Sequence, residues 1–212
     1  MVVTRPNHDV TMQYLYAWSS DVITEAKKHS VTVIDLSGKR ATRNEFTSVV
    51  TKIHPSLIMV NGHGNERMVT GYDNEPLVVE GENELVFRGT IVYARSCQSA
   101  RRLGPACVQK GTIAYIGYTE DFVFFIDETK ITRPREDTTA KRFLEPSNHI
   151  VMSLLKGHTA GQAQIKSKNM YMHTIQRLMT SETPKEEKEL IPYLRWNLIH
   201  QVCLGDENAR VA

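Results

Sequence analysis

Apolar residues recur along the chain at two spacings, one typical of amphipathic helices and the other of buried strands. From Val10 to Lys28 they return every three or four residues, which predicts a helix. The same spacing from Thr42 to Ile53 predicts a second helix, which we expect the following His54-Pro55 pair to terminate. Further helices are predicted over Gln98–Gln109, Asn148–Lys156 and Thr159–Thr180.

Short runs rich in β-branched residues separate the first helices and predict buried strands. These runs are Val31–Leu36, Leu57–Val60, Thr90–Ala94 and Thr112–Tyr118. Alternation of strands and helices is typical of a parallel sheet that helices cover on both faces. The pattern therefore predicts a three-layer α/β fold with a mainly parallel central sheet.

Three further segments lack this alternation. Residues 68–87 carry short apolar pieces broken by Gly71 and Gly81, which predicts a small hairpin insertion. Residues 127–139 are polar and have no hydrophobic period, so we expect an exposed loop. Residues 183–189 are predicted to be a charged connector.

The composition of the 212 residues, 41% hydrophobic and 24% charged, is ordinary for one globular domain. A net charge of +2 creates no field that would attract nucleic acid. No run approaches the roughly 18 consecutive apolar residues of a membrane span. The three cysteines have no paired spacing, and residues 1–20 lack the apolar stretch of a secretion signal. We therefore expect a cytoplasmic protein that binds neither nucleic acid nor membrane.

Two polar segments follow two of the predicted strands. Asn61–Gly64 follows one strand and brings His63, and Ala94–Cys97 ends the next strand and brings Cys97. Neighbouring parallel strands end at the same edge of a sheet, which is where open α/β sheets place their sites. The sequence therefore predicts an imidazole beside a thiol, the arrangement of a cysteine nucleophile and its proton-transfer partner.

The surroundings of Cys97 also matter, because an ordinary thiol is mostly protonated at neutral pH. A helix beginning directly after Cys97 would lower the pKa of the thiol through its free N–H groups and dipole. His63 would then act mainly as the general acid. The amides of Gly64 and Cys97 would bind the oxyanion, because a glycine lets its N–H approach the substrate closely.

Simpler interpretations of these residues remain open at this stage. His63 taken alone is typical of a strand-end histidine bonded to backbone, but the Cys97 segment beside it favours catalysis. Cys97 taken alone is typical of a small buried apolar residue, although its polar neighbours argue against burial. Asn61–Asn65 has the Gly-x-Gly of a phosphate loop without the rest of that motif. Cys107 and Cys203 are assigned to packing. His149, His158, His173 and His200 lack ligand spacing and nearby acidic partners, so no metal site is predicted.

The chain resembles the caspase-like cysteine peptidases, the clan of caspases, gingipains, legumain and separase. The resemblance rests on Asn61–Gly64 and Ala94–Cys97 after their strands and on the late Asn197–Asp206 segment, and it is strongest to CHAT and gingipain-type domains. It implies one caspase-like domain over residues 1–212 and a cofactor-independent endopeptidase. In that family pattern Cys97 is the nucleophile, His63 is its partner, and the amides of Gly64 and Cys97 form the oxyanion hole.

The resemblance also bears on specificity and partners. In relatives, charged residues after the first and fourth strands line the substrate pocket, and here those positions hold Asp35, Glu120 and Asp121. A carboxylate in that pocket would bind arginine or lysine, which predicts cleavage of proteins or peptides after basic residues. The same three residues are equally typical of turns and caps.

One hypothesis about regulation and two alternative functions also follow. Residues 127–139 take the place where caspases carry the linker cut during activation, so self-cleavage there is a hypothesis. The main functional alternative is a catalytically silent or partner-activated scaffold module, which leaves an activating or regulatory protein partner open. A nucleotide-binding α/β protein is the second alternative.

Overall fold

The structure, a computed structural model, describes residues 1–211. The strands are β1 (Val2–Arg5), β2 (Ile34–Ser37), β3 (Leu57–Asn61), β4 (Gly64–Asn65), β5 (Met68–Thr70), β6 (Pro76–Val79), β7 (Ile91–Arg95), β8 (Ala114–Tyr118) and β9 (Gln201–Gly205). The helices are α1 (Val10–Lys28), α2 (Arg43–Ile53), α3 (Leu103–Gln109), α4 (Thr138–Leu155), α5 (Ala160–Leu178), α6 (Lys185–Lys188) and α7 (Ile191–His200).

A six-stranded sheet forms the centre of the molecule, in the order β2-β1-β3-β7-β8-β9. Neighbouring strands run parallel except β8 and β9, which are antiparallel. The predicted mainly parallel α/β sheet is therefore confirmed. Strands β4, β5 and β6 form a separate antiparallel sheet, which contains the predicted hairpin insertion.

Two apolar cores lie on opposite faces of the central sheet. Successive strand residues point to opposite faces, so Met59 joins the core formed with α1, α4 and α5, and Ile58 joins the core formed with α2, α3 and the hairpin. Tyr93 and Val92 divide between the two cores in the same way. Burial on both faces explains why these strands are continuous apolar runs.

The first strand in the structure was missed by the sequence patterns. Strand β1, Val2–Arg5, is fully buried and pairs with both β2 and β3. Four residues are too short for a periodic signal, and the predicted strand at Val31–Leu36 was taken as the first. That strand begins only at Ile34 and lies at the edge of the sheet. The polar residues after Arg5 therefore lie at the carboxyl end of a strand next to β3.

The observed helix boundaries agree with the predicted ones for α1 and differ from them for α3 and α4. The helix predicted from Gln98 begins at Leu103, because residues 98–102 form turns. The Gln98 and Ala100 amides donate to the carbonyls of Glu120 and Tyr118 instead of continuing a helix. Helix α4 begins at Thr138, well before the predicted start. Elements α7 and β9 were not predicted.

Residues 127–139 are more tightly held than an exposed loop. Two short 3₁₀ turns occupy part of the segment, and Asp137 caps α4 while accepting a hydrogen bond from the Tyr14 hydroxyl at 2.8 Å. The indole of Trp18 donates to the Pro134 carbonyl at 3.0 Å. These bonds fix the segment onto α1. None of the helices in residues 1–211 combines the length and the apolar character that a membrane span requires.

Candidate active site

The ends of β3 and β7 bring the two predicted catalytic segments together. The strands are parallel neighbours, and Asn61 lies opposite Arg95 in their register. His63 follows Asn61 by the same number of residues as Cys97 follows Arg95. Both residues therefore emerge at one edge of the sheet, from adjacent strands.

Gly64 lies directly against the Cys97 segment. A Cβ atom on Gly64 would lie 3.1 Å from the Cys97 carbonyl oxygen and 2.8 Å from the Met68 carbonyl oxygen. A Cβ on Gly62 would lie only 2.0 Å from the Thr70 carbonyl oxygen. Both positions require glycine because backbone of a neighbouring segment occupies the space that a side chain would need.

The His63 imidazole has a carboxylate partner that the sequence patterns missed. Its Nε2 lies 2.8 Å from Oδ2 of Asp9, while Oδ1 of Asp9 accepts from the Met12 amide at 2.8 Å and caps α1. Burial opposes ionisation of Asp9, but the Met12 amide and His63 outweigh it and lower the pKa of the carboxyl. Asp9 therefore fixes the ring and leaves Nδ1 for proton transfer.

His8 lies beside this pair. Its ring packs edge-on against Tyr72 at 5.5 Å and lies 6.2 Å from the His63 ring, measured between ring centroids. Its Nε2 is 3.5 Å from Oδ2 of Asp9 and 3.3 Å from Oδ1 of Asn74. One signal could have indicated this pair, because His8 and Asp9 follow a short apolar run. That signal has meaning only when the run is recognised as strand β1.

The Cys97 thiol is held in its protonated form. Burial raises the pKa of Cys97 to about 11, and the carboxylate of Asp121, which accepts a hydrogen bond from the thiol, adds to the shift. The Phe122 amide opposes it. The predicted helix dipole does not reach the sulfur, since α3 begins at Leu103. The expected low thiol pKa is therefore wrong for this conformation.

Arg95 bonds the two strand ends to each other. The residue is fully buried, and its Nε donates to Oδ1 of Asn61 at 2.9 Å. Its Nη1 donates to Asn148 at 2.9 Å and its Nη2 to Ser19 at 2.7 Å. Cys97 itself is half-buried, although its polar neighbour Arg95 is fully buried because the fold supplies partners for the cation.

The three predicted pocket carboxylates lie in different surroundings. Asp35, on the edge strand β2, is bound by the guanidinium of Arg5. Glu120 pairs with Arg101. Asp121 accepts from the side-chain amide of Gln98 at 2.9 Å and from the Cys97 thiol. The structure thus brings Asp121 next to Cys97 and places Asp35 three strands away from β7 in the sheet.

Comparison with solved structures identifies the architecture. The chain superposes on the crystal structure of the Arg-specific cysteine proteinase gingipain R with a TM-score of 0.61, over 92% of its own length. The fold is caspase-like. Sequence identity is 13%, and the match spans 42% of the gingipain chain, so the likeness concerns the fold alone. No protein-family model and no curated protein matches the sequence.

Proposed function

We propose that the protein is a cysteine endopeptidase, with residues 1–212 as one peptidase domain of the CHAT and gingipain type. The observation that carries the proposal is the closeness of the two strand ends, where Gly64 lies against the Cys97 backbone and His63 is oriented by Asp9. A thiol, an imidazole and a carboxylate that orients it are the groups of acyl-transfer catalysis. The caspase-like fold is consistent with this chemistry.

The proposed reaction follows from these positions. The Cys97 sulfur attacks the scissile carbonyl carbon while its proton passes to Nδ1 of His63. The oxyanion accepts hydrogen bonds from the Gly64 and Cys97 amides. When the carbon–nitrogen bond breaks, His63 returns the proton to the departing amine. Water then hydrolyses the thioester and restores the thiol, with no cofactor taking part.

The protonated resting thiol favours a protein that needs activation. Attack requires the thiolate, and a pKa of about 11 leaves on the order of one thiol in 10⁴ ionised at pH 7. A ligand or protein partner that moves Asp121 away from the sulfur would relieve part of this penalty. The same observation supports the second candidate, a silent or partner-activated scaffold module.

For the substrate we propose proteins or peptides with a basic residue before the cut bond. The Asp121 carboxylate lies beside the Cys97 sulfur, and Glu120, which pairs with Arg101, adds a second carboxylate to the same segment. Charge-assisted hydrogen bonds from arginine or lysine would match them. Asp35, already bound by Arg5, contributes less than the sequence pattern suggests.

One experiment tests the peptidase proposal and its rival. The wild-type chain is incubated with a peptide library and with a thiol-reactive peptide electrophile, with Cys97→Ala as the blank and His63→Ala as the matched control. We expect cleavage after basic residues and labelling at Cys97, both strongly reduced in His63→Ala. Equal labelling of Cys97 in wild type and His63→Ala, with no peptide cleavage by either, would support the scaffold module.

Self-cleavage within residues 127–139 is proposed as a secondary property. The segment offers Lys130, Arg133 and Arg135, but its bonds to α1 protect the backbone. Mass spectrometry of active enzyme after long incubation should find a cut here that Cys97→Ala lacks. An intact chain in both samples would refute it.

A further inference from the structure

Three metal-binding side chains converge at His63, the proposed catalytic imidazole. His8, Asp9 and His63 each offer one ligand atom, and these atoms all lie within 4.8 Å of one another. The Asp9 oxygen is 2.8 Å from Nε2 of His63 and 3.5 Å from Nε2 of His8. Two imidazoles and one carboxylate form a ligand set typical of Zn²⁺ with an open fourth position.

The distances are close to those of a metal site. Donor atoms bonded to tetrahedral zinc at about 2.0–2.2 Å lie roughly 3.3–3.5 Å apart. The Asp9–His8 separation of 3.5 Å already fits. The His63 side chain is 39% exposed, so the movement of roughly an ångström that the third ligand needs meets little packing.

The His8 ring supplies an independent indication. Its side chain is only 9% exposed, yet its Nδ1 has no hydrogen-bond partner among the described residues. Its Nε2 has only the two long contacts to Asn74 and Asp9. A buried imidazole without good partners costs stability unless another group satisfies it. A cation between His8 and Asp9 would replace the long contacts of Nε2 by one short bond, and Nδ1 would stay outside the coordination sphere.

We propose that His8, Asp9 and His63 bind one zinc ion, and that this ion inhibits the peptidase. The inhibitory part rests on the proposed function, whereas binding does not. Zinc on Nε2 of His63 displaces the bond to Asp9 and replaces an imidazolium acid by a metal-bound neutral imidazole. Loss of the remaining Nδ1 proton then requires imidazolate, so the ring becomes a poor acid for the departing amine.

The charge and ligand types select the ion. Imidazole favours zinc and neighbouring transition metals, while Mg²⁺ and Ca²⁺ prefer oxygen ligands. The site has one carboxylate oxygen from Asp9 and two ring nitrogens. We therefore expect Mg²⁺ and Ca²⁺ to be ineffective at concentrations where Zn²⁺ binds.

Binding is tested by calorimetric titration of metal-free protein with ZnCl₂, and by the visible ligand-field spectrum with Co²⁺. The variants are Cys97→Ala, His8→Phe, which keeps an aromatic ring against Tyr72, and the exposed-site control His173→Phe. We expect one ion per chain in wild type, Cys97→Ala and His173→Phe. His8→Phe should weaken binding by more than the roughly 10–100-fold that loss of an outer-shell partner costs.

Two outcomes would overturn the site. Equal affinity in His8→Phe and wild type would exclude His8, and loss of binding in Cys97→Ala, with a thiolate charge-transfer band for Co²⁺, would place the metal on sulfur. Asp9→Asn, which keeps the helix cap, is the second ligand variant in case His8→Phe does not fold. It should also weaken binding.

Inhibition is measured separately on metal-free enzyme. Zinc should stop peptide cleavage by wild type and be reversed by chelator, while His8→Phe stays active at the same zinc concentration. If metal-free wild type cleaves no peptide, the peptidase proposal fails and the titration still decides the metal site. If zinc binds through His8 and cleavage continues, the inhibitory role is wrong.

Discussion

At the scale of single residues, the state of the Cys97 proton controls the proposed chemistry. Burial and the Asp121 carboxylate both hold that proton on sulfur, and only the Phe122 amide favours the thiolate. Asp121 also accepts from Gln98, so its position is fixed by a second bond. In this conformation Asp121 therefore opposes formation of the Cys97 thiolate, whatever it contributes to substrate binding.

Replacing Asp121 by asparagine tests this interpretation. Removal of the negative charge should lower the pKa of the Cys97 thiol, and each unit of decrease raises the thiolate fraction about tenfold at neutral pH. Because a less basic thiolate is also less nucleophilic, the net gain is about threefold per unit. We expect faster alkylation of Cys97 by iodoacetamide in Asp121→Asn, followed by mass spectrometry.

Glu120→Gln is the matched control for Asp121→Asn. It removes one carboxylate of the same segment, but that carboxylate pairs with Arg101 and not with the sulfur. Its alkylation rate should stay close to wild type. A rate in Asp121→Asn that equals or falls below wild type would show that Asp121 does not hold the proton on Cys97.

The sequence indicates the two proposed catalytic residues better than their partners. His63 and Cys97 could be predicted because each follows a strong apolar run, and the pairing of those runs was confirmed. Asp9 contacts His63 across 54 positions of sequence, and Arg95 reaches Asn148 across 53. Such pairs leave no local pattern, because they depend on how distant elements pack.

At the scale of elements, one buried cation bonds four of them together. Arg95, at the end of β7, donates to Asn61 of β3, Ser19 of α1 and Asn148 of α4. All of these acceptors are neutral, and burial lowers the pKa of the guanidinium. Two of these four elements, β3 and β7, end at the edge from which the proposed catalytic segments emerge.

Replacing Arg95 by methionine should destabilise the protein strongly. The variant leaves several buried acceptors without a donor, and each unsatisfied group costs about 1–3 kcal/mol. We expect the free energy of unfolding to fall by about 3 kcal/mol or more, measured by urea denaturation. Arg102→Met is the matched control, since that arginine is half exposed and its surface pair with Glu80 should contribute at most about 1 kcal/mol. Similar losses in both variants would contradict this role of Arg95.

The predicted element boundaries were wrong where long-range hydrogen bonds override the local preference for a helix. The Gln98 and Ala100 amides bond to the chain at and just beyond the end of β8, and Gln98 has a positive φ of 55°, so a helix cannot begin there. Strand β1 was missed for a different reason, since four residues are too few to show a hydrophobic period. The long helix α1 was predicted correctly because its apolar spacing extends over 19 residues.

At the scale of the whole molecule, the two cores contain hydroxyl and thiol groups that ionise only at high pH. Burial raises the pKa of Cys107 and of Cys203 to about 12. Burial also raises the pKa of Tyr93, Tyr115 and Tyr118 well above the usual value of 10.0. The folded state therefore keeps protons that the unfolded chain loses.

This difference predicts alkaline unfolding. Below the unfolded pKa values, about 9 for cysteine and 10 for tyrosine, both states hold the proton and stability is complete. As pH rises above them, the unfolded state binds fewer protons, and each such group lowers the free energy of unfolding by about 1.4 kcal/mol per pH unit. We expect the thermal midpoint to be steady near pH 8 and to fall steeply between about pH 9 and 11.

The conservative variant Tyr115→Phe identifies the source of that fall. Tyr115 is fully buried between the sheet and α3, and its phenol is one of the groups that stay protonated in the folded state. Removing that hydroxyl should reduce the alkaline slope of stability against pH by about one proton above pH 10. Tyr193→Phe, on an exposed ring, should leave the slope unchanged. An unchanged slope in Tyr115→Phe would show that ionisation of Tyr115 does not contribute to unfolding at high pH.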